Sequence, residues 1–204
     1  MKNFSRAFLF ICLCITTGIV VSETKTSSES PLKTAVFAGG CFWCIEADFE
    51  KLDGVQTVVS GYTGGSSETA DYKTVTYNET GHFEAVEVTY NPTTVSYSEL
   101  VEYFWRHIDP TNPYGQFCDK GSSYLSAIFY ANEEEQKIVD ESLANLKKNK
   151  PFDGEIVTQI LPAKPFYLAE DYHQDYYKKN PIRYNLYRRG CRRDQRVEQL
   201  WGKE

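Results

Sequence analysis

The chain has 204 residues, of which 41% are hydrophobic and 15% aromatic, and this composition excludes an intrinsically disordered protein. Its formal net charge of −6 excludes the general affinity for nucleic acid that a basic domain has. The length suits one domain with a sizeable core.

The first residues have the pattern of a secretory signal peptide. Lys2 and Arg6 precede an apolar stretch over 7–21, and the small residue Ser22 follows it. About 15 residues are few for a bilayer-spanning helix, and an uncleaved membrane anchor is the alternative. We therefore expect export to the periplasm or secretion. The chain is divided into a signal peptide at 1–22, a flexible lead-in at 23–31 and a single domain at 32–204.

The domain opens with a strand that turns directly into a helix. A β-prone run over 34–37 ends at Gly39-Gly40, and apolar residues then recur at helical spacing until Gly54. Cys41 therefore lies at the junction. Residues 66–82 are polar and predict a loop. The remaining core elements are predicted as strands at 55–62, 83–90, 124–130 and near 160, and as helices carrying Leu100 to Ile108 and Val139 to Leu146.

The order of these elements favours an α+β fold. Strand, helix, strand, strand, helix, strand, helix, strand is typical of a two-layer α/β sandwich with a ferredoxin-like split βαβ core. After Pro162 the chain is dense in Tyr and Arg. We expect one short helix at 169–179 and otherwise a long irregular C-terminal tail.

Cys41 and Cys44 form a Cys-x-x-Cys pair at the start of the first helix. The free N–H groups of a helix N-terminus favour a thiolate, so we expect a lowered pKa for Cys41 and assign it as the nucleophile. The pair is compatible with dithiol exchange, with half of a zinc site, or with a sulfoxide-type thiol and its resolving partner. No second Cys-x-x-Cys or paired His supplies further zinc ligands, so we expect no metal.

The segment Gly39 to Glu46 resembles the signature of peptide methionine sulfoxide reductases of the A type. The likeness continues in the same order over nearly the whole domain. Its further parts are Ser60 to Gly65, Thr80 to Glu84, Asp109-Pro110-Thr111 with Gly115 to Asp119 and Ser123-Tyr124, and the tail from His173 through Gly190-Cys191 to Trp201-Gly202.

This resemblance implies reduction of methionine (S)-sulfoxide, in peptides and proteins or as the free amino acid. It implies attack by Cys41, a sulfenic acid, a disulfide, and regeneration by thioredoxin or a thioredoxin-like dithiol. We expect no bound cofactor and a monomer. Besides Cys41, the residues implied are Phe42 and Trp43 around the substrate methyl group, and Tyr62, Glu84, Tyr124 and Asp119 around the sulfoxide oxygen.

Two residue choices rest on further reasoning. Glu84 lies on the apolar side of its strand, where burial raises a carboxyl pKa and makes it a proton donor. Cys191 is our first choice for the resolving thiol because the resemblance matches it to the family's tail cysteine and because its segment is expected to be mobile. Cys44 and then Cys118 are the alternatives.

Three other functions are compatible with parts of the pattern. A periplasmic thiol–disulfide oxidoreductase would use Cys41 and Cys44. A cysteine hydrolase would use Cys41 with His107 or His173 as base. A binding domain would use the cysteines in structural disulfides.

Overall fold

The computed structural model describes residues 31–203. In that part of the chain the strands are β1 (Lys33–Gly39), β2 (Val55–Thr63), β3 (Phe83–Tyr90), β4 (Gly115–Gln116), β5 (Asp119–Lys120), β6 (Ser126–Tyr130), β7 (Gln159–Pro162) and β8 (Phe166–Leu168). The helices are α1 (Phe42–Phe49), α2 (Tyr72–Tyr77), α3 (Tyr97–Arg106), α4 (Glu133–Asn149), α5 (Tyr176–Lys179), α6 (Pro181–Gly190) and α7 (Arg193–Trp201). The expected signal peptide and nearly all of the lead-in lie outside the described residues.

Six strands form one sheet in the order β7-β6-β1-β3-β2-β8. The pairs on both sides of β1 and of β2 are antiparallel, and β7 is parallel to β6. A separate hairpin joins β4 to β5. The mixed α/β class is confirmed, whereas the ferredoxin-like description stays a prediction.

The core lies between this sheet and helices α1 and α3. Phe37 of β1 is fully buried and stacks on Phe49 of α1 and Phe104 of α3, with ring centroids 4.9 and 5.1 Å apart. Helix α3 starts with a capping box in which Ser96 and Glu99 bind each other's backbone N–H. The buried aromatic stack fixes α1, and therefore its first residue, against the sheet.

Two regions differ from the expected loops. Residues 66–82, predicted as a loop, contain α2, because the Asp71 carboxylate caps the helix by accepting from the Thr74 N–H at 3.0 Å. The C-terminal tail is not irregular, since it forms α5, α6 and α7 and adds β8 to the edge of β2. Among residues 31–203, no helix is long and apolar enough to cross a bilayer.

Candidate active site

Cys41 is held at the N-cap position of α1 by a tight turn after β1. Gly40 makes this turn with φ of +81°, and a Cβ on it would lie 2.5 Å from the Gln116 side chain. Cys41 is 6% exposed. Its sulfur borders a cavity of about 70 Å³, whose lining residues are Cys41, Phe42, Trp43, Tyr72, Glu84, Asp119, Tyr124 and Tyr187.

Glu84 brings a buried carboxyl to this cavity from the middle of the sheet. It is 2% exposed, and its Oε2 accepts the backbone N–H of Phe42 at 3.2 Å. Burial raises the pKa of Glu84 to about 8, although the Phe42 N–H and the Tyr124 hydroxyl favour its ionised form. Glu84 is therefore mostly protonated at neutral pH and can donate to a ligand.

The two thiols of α1 share one environment but have opposite pKa shifts. Burial raises the pKa of Cys41 well above its ordinary value, and the hydrogen bond to Cys44 and the carboxyls of Glu84 and Asp119 add to this shift. The same hydrogen bond and the charge of Arg193 lower the pKa of Cys44. The expected lowering of the Cys41 pKa is therefore wrong for the folded protein without a ligand, because burial is the largest cause of the shift.

Aromatic side chains form the apolar walls of the cavity. Phe42 is 1% exposed. Trp43 stacks face to face on Tyr176 at 3.6 Å, and its Nε1–H donates to His173 Nδ1 at 3.0 Å. These contacts fix the indole in one orientation, so the wall is formed before a ligand arrives.

Tyr62 does not line the cavity, in contrast to the sequence prediction. Its ring is fully buried beside Phe42, with centroids 5.9 Å apart, and its hydroxyl donates to Glu170 Oε2 at 2.9 Å. The other oxygen of Glu170 accepts the backbone N–H of Tyr72 at 2.9 Å. Tyr72 lines the cavity instead, and the sequence reasoning missed it because it placed Tyr72 in a loop.

The C-terminal cysteine is paired, but not with Cys41. Cys118 and Cys191 form a disulfide with a Cα–Cα distance of 4.9 Å, whereas Cys41 and Cys44 are free and buried. The first choice of Cys191 as the resolving thiol does not match this pairing. A cysteine in an α-helix reaches a neighbour three residues away without any tail movement, and Cys44 already has that position.

A buried cluster of charged side chains holds the C-terminal helices against α1. Arg193 is 2% exposed and donates to the backbone carbonyls of Gly39 at 3.2 Å and His107 at 2.8 Å. Asp48, also 2% exposed, accepts from Arg188 at 2.9 Å. The positive charges of the tail are therefore structural and close to Cys44.

The three histidines are all engaged away from the Cys41 sulfur. His173 accepts from Trp43, His107 contacts the carbonyl of Tyr103 at 2.7 Å, and His82 accepts from the Gly65 N–H at 3.3 Å. None of them is among the cavity-lining residues. This arrangement does not favour a cysteine hydrolase, which needs a base beside its thiol.

A larger cavity of about 620 Å³ lies between α3 and α4. Its walls carry serines, tyrosines and several glutamates, including Glu102, Glu135 and Glu141, but neither a cysteine nor a histidine. The smaller cavity is the better candidate because it combines a thiol, a buried carboxyl of raised pKa and three tyrosines.

A family model described as peptide methionine sulfoxide reductase matches residues 33–204. The chain belongs to the peptide methionine sulfoxide reductase family. Curated relatives of this family align over most of the domain.

Three relatives illustrate the extent of this match. The peptide methionine sulfoxide reductase MsrA of Streptococcus agalactiae serotype Ia is 49% identical over 170 residues, which are 83% of this chain and 99% of the relative. MsrA of Bacillus subtilis is 48% identical, covering 82% and 95% of the two chains. MsrA 2 of Caulobacter vibrioides is 49% identical, covering 90% and 93%.

Solved structures of the family share the fold. Mxr1 of Saccharomyces cerevisiae in its reduced form is 34% identical with a TM-score of 0.65, covering 77% of this chain and 91% of that one. Methionine sulfoxide reductase A of Corynebacterium diphtheriae is also 34% identical with a TM-score of 0.65, covering 74% and 76%.

Proposed function

We propose that this reductase acts on methionine (S)-sulfoxide, in peptides and proteins or as the free amino acid, and returns it to methionine. The observation that carries this proposal is a thiol and a buried carboxyl on one small cavity with aromatic walls. Cys41 supplies the nucleophile and Glu84 the proton. Phe42 and Trp43 provide an apolar surface for the methyl group of the substrate.

In the first step the Cys41 sulfur attacks the sulfoxide sulfur while Glu84 protonates the oxygen. The hydroxyls of Tyr72 and Tyr124 border the same cavity and hydrogen-bond to that oxygen. The oxygen then moves from the substrate sulfur to the Cys41 sulfur: a new sulfur–oxygen bond forms on Cys41 while the sulfur–sulfur bond and the substrate's sulfur–oxygen bond break, so that methionine leaves and Cys41 becomes a sulfenic acid. The proton of the Cys41 thiol restores Glu84, so atoms and charge balance.

In the second step Cys44 condenses with the sulfenic acid. A Cys41–Cys44 disulfide forms and water leaves. Cys44 suits this role because it already hydrogen-bonds to Cys41 and its pKa is lowered, which favours the thiolate. An external thioredoxin or thioredoxin-like dithiol then reduces the disulfide by exchange. Cys118 and Cys191 stay outside this cycle.

An assay with separated S and R epimers of a methionine sulfoxide peptide tests the proposal. We expect turnover of the S epimer only, and none by Cys41→Ser. Mapping after one turnover should show a Cys41–Cys44 bond in the wild type, and Cys44→Ser should leave a sulfenic acid that a 1,3-dione traps. Cys191→Ser is the control and should still form the Cys41–Cys44 bond. Full activity of Cys41→Ser would overturn the assignment.

A thiol–disulfide oxidoreductase built on the same two thiols is not favoured. Such an enzyme needs neither a buried Glu84 beside its thiols nor the tyrosines that line the cavity. It would ignore sulfoxides and lose disulfide exchange in Cys44→Ser.

We also propose that the enzyme is exported, on the strength of the signal pattern at 1–22, and that it is monomeric. An N-terminus beginning after Ser22 in protein from the periplasm or medium would support export. The strand order β6-β1-β3-β2, antiparallel throughout, agrees with the ferredoxin-like split βαβ core that we propose for the fold.

A further inference from the structure

Tyr187 lines the Cys41 cavity although no sequence motif points to it. It lies on α6, its ring meets Trp43 edge to face at 5.8 Å, and its hydroxyl donates to Asp119 Oδ2 at 2.5 Å. Asp119 lines the same cavity from the β4–β5 hairpin. One wall of the site is therefore a contact between the hairpin and helix α6.

The Cys118–Cys191 disulfide closes the same contact covalently. Cys118 directly precedes Asp119, and Cys191 ends α6 one turn after Tyr187, to whose carbonyl its backbone N–H donates at 2.9 Å. The disulfide and the Tyr187–Asp119 hydrogen bond thus join the same two segments, the hairpin and the end of α6. Because Cys118 is exposed, a reductant in solution can reach this link.

A thiolate on Cys41 needs hydrogen-bond donors in this site. The groups that act most on Cys41 are Cys44, Glu84 and Asp119, and each of them is negative when ionised. When any of these three groups is ionised, it disfavours a negative charge on the nearby Cys41 sulfur. The Tyr187 hydroxyl is a neutral donor within reach of both Asp119 and Cys41.

We propose that Tyr187 donates a hydrogen bond to the Cys41 sulfur as it ionises, and that the Cys118–Cys191 disulfide positions Tyr187 for this role. In the resting enzyme the hydroxyl bonds to Asp119, and it turns to the sulfur when negative charge develops there. The disulfide keeps the hairpin and α6 together, so the phenol stays at the cavity that the Cys41 sulfur borders. This inference rests on the proposed function for its kinetic consequence only.

The first test is the pH dependence of Cys41 alkylation in the full chain, read on the Cys41 peptide by mass spectrometry. In the Cys44→Ser background, Tyr187→Phe should lower the alkylation rate at neutral pH about tenfold, the size expected for losing one hydrogen bond to a charged group. Tyr114→Phe is the matched control, since Tyr114 is 73% exposed and outside the cavity. An unchanged profile for Tyr187→Phe would overturn the proposal.

The second test is a double-mutant cycle with the disulfide. Replacing both Cys118 and Cys191 by Ser should slow alkylation and single-turnover sulfoxide reduction several-fold, and should have little further effect in the Y187F background. Equal effects in both backgrounds would show that the disulfide does not act through Tyr187. If the double Ser variant does not fold, reduction of the wild-type disulfide with a phosphine replaces it.

These readouts separate the two proposals. If the wild type did not reduce methionine sulfoxide, the proposed function would be contradicted, whereas the alkylation profiles could still show the effect of Tyr187. A normal sulfoxide activity with an unshifted alkylation profile would contradict only the role of Tyr187.

Discussion

Replacement of Glu84 by Gln should separate activity from stability. Gln keeps the shape of a protonated carboxyl and can still accept the Phe42 N–H, but it cannot deliver a proton. Single-turnover reduction of the S epimer should fall about a hundred- to ten-thousandfold, the usual contribution of a general acid.

The same substitution should raise the free energy of unfolding near neutral pH. Burial raises the pKa of Glu84 from 4.5 to about 8 in the folded state. The wild type therefore has its full Glu84 contribution to stability below pH 4.5 and loses it as the pH rises towards 8. At pH 7 this loss is about 3 kcal/mol, and Glu84→Gln, which does not titrate, should not suffer it.

Urea unfolding of both proteins at pH 5 and pH 8 measures this difference. The Gln variant should be more stable than the wild type by about 1 kcal/mol at pH 5, and this difference should widen to about 4 kcal/mol at pH 8. A variant that loses activity and stability in parallel at both pH values would refute a buried, protonated Glu84 and indicate a structural ion pair instead.

Two further pairs of substitutions test how the cavity is built. Gly40→Ala should lower the free energy of unfolding by more than about 1–2 kcal/mol, because Ala is strained at positive φ and has no room there; Gly190→Ala, with open space around it, is the control and should not destabilise the protein. Tyr62→Phe should reduce single-turnover activity less than Tyr72→Phe, since Tyr62 acts only through Glu170. If both tyrosine variants lost the same fraction of single-turnover activity with the S epimer, Tyr62 would have to contact the substrate directly.

The parts of the site that the sequence predicts are those encoded by local pattern. Alternation along β3 places Glu84 on the buried face, and the Gly-Gly turn places Cys41 at the start of α1; the structure has both arrangements. Strand and helix periodicity likewise predicts the core around Phe37. In these segments the apolar residues lie on one buried face, so the spacing of apolar residues in the sequence matches the period of the strand or helix that forms.

The parts that the sequence does not predict depend on contacts distant along the chain. The tail helices bury tyrosines and the Arg193 guanidinium rather than an aliphatic stripe, so their helical period is weak. Tyr187 reaches the cavity only because α6 packs against the hairpin. Burial likewise reverses the shift of the Cys41 pKa, and burial is a property of the assembled domain.

The hydrogen bond from Arg193 to the carbonyl of Gly39 joins residues that are 154 positions apart in the chain. Synthesis on a ribosome proceeds from the amino end, so the reactive thiol emerges long before the helices that enclose it. During that interval Cys41 and Cys44 are open to solvent and to any oxidant. An enzyme organised in this way has a complete site only when its last segment docks, and until then its thiols are accessible to the same oxidants that produce methionine sulfoxide.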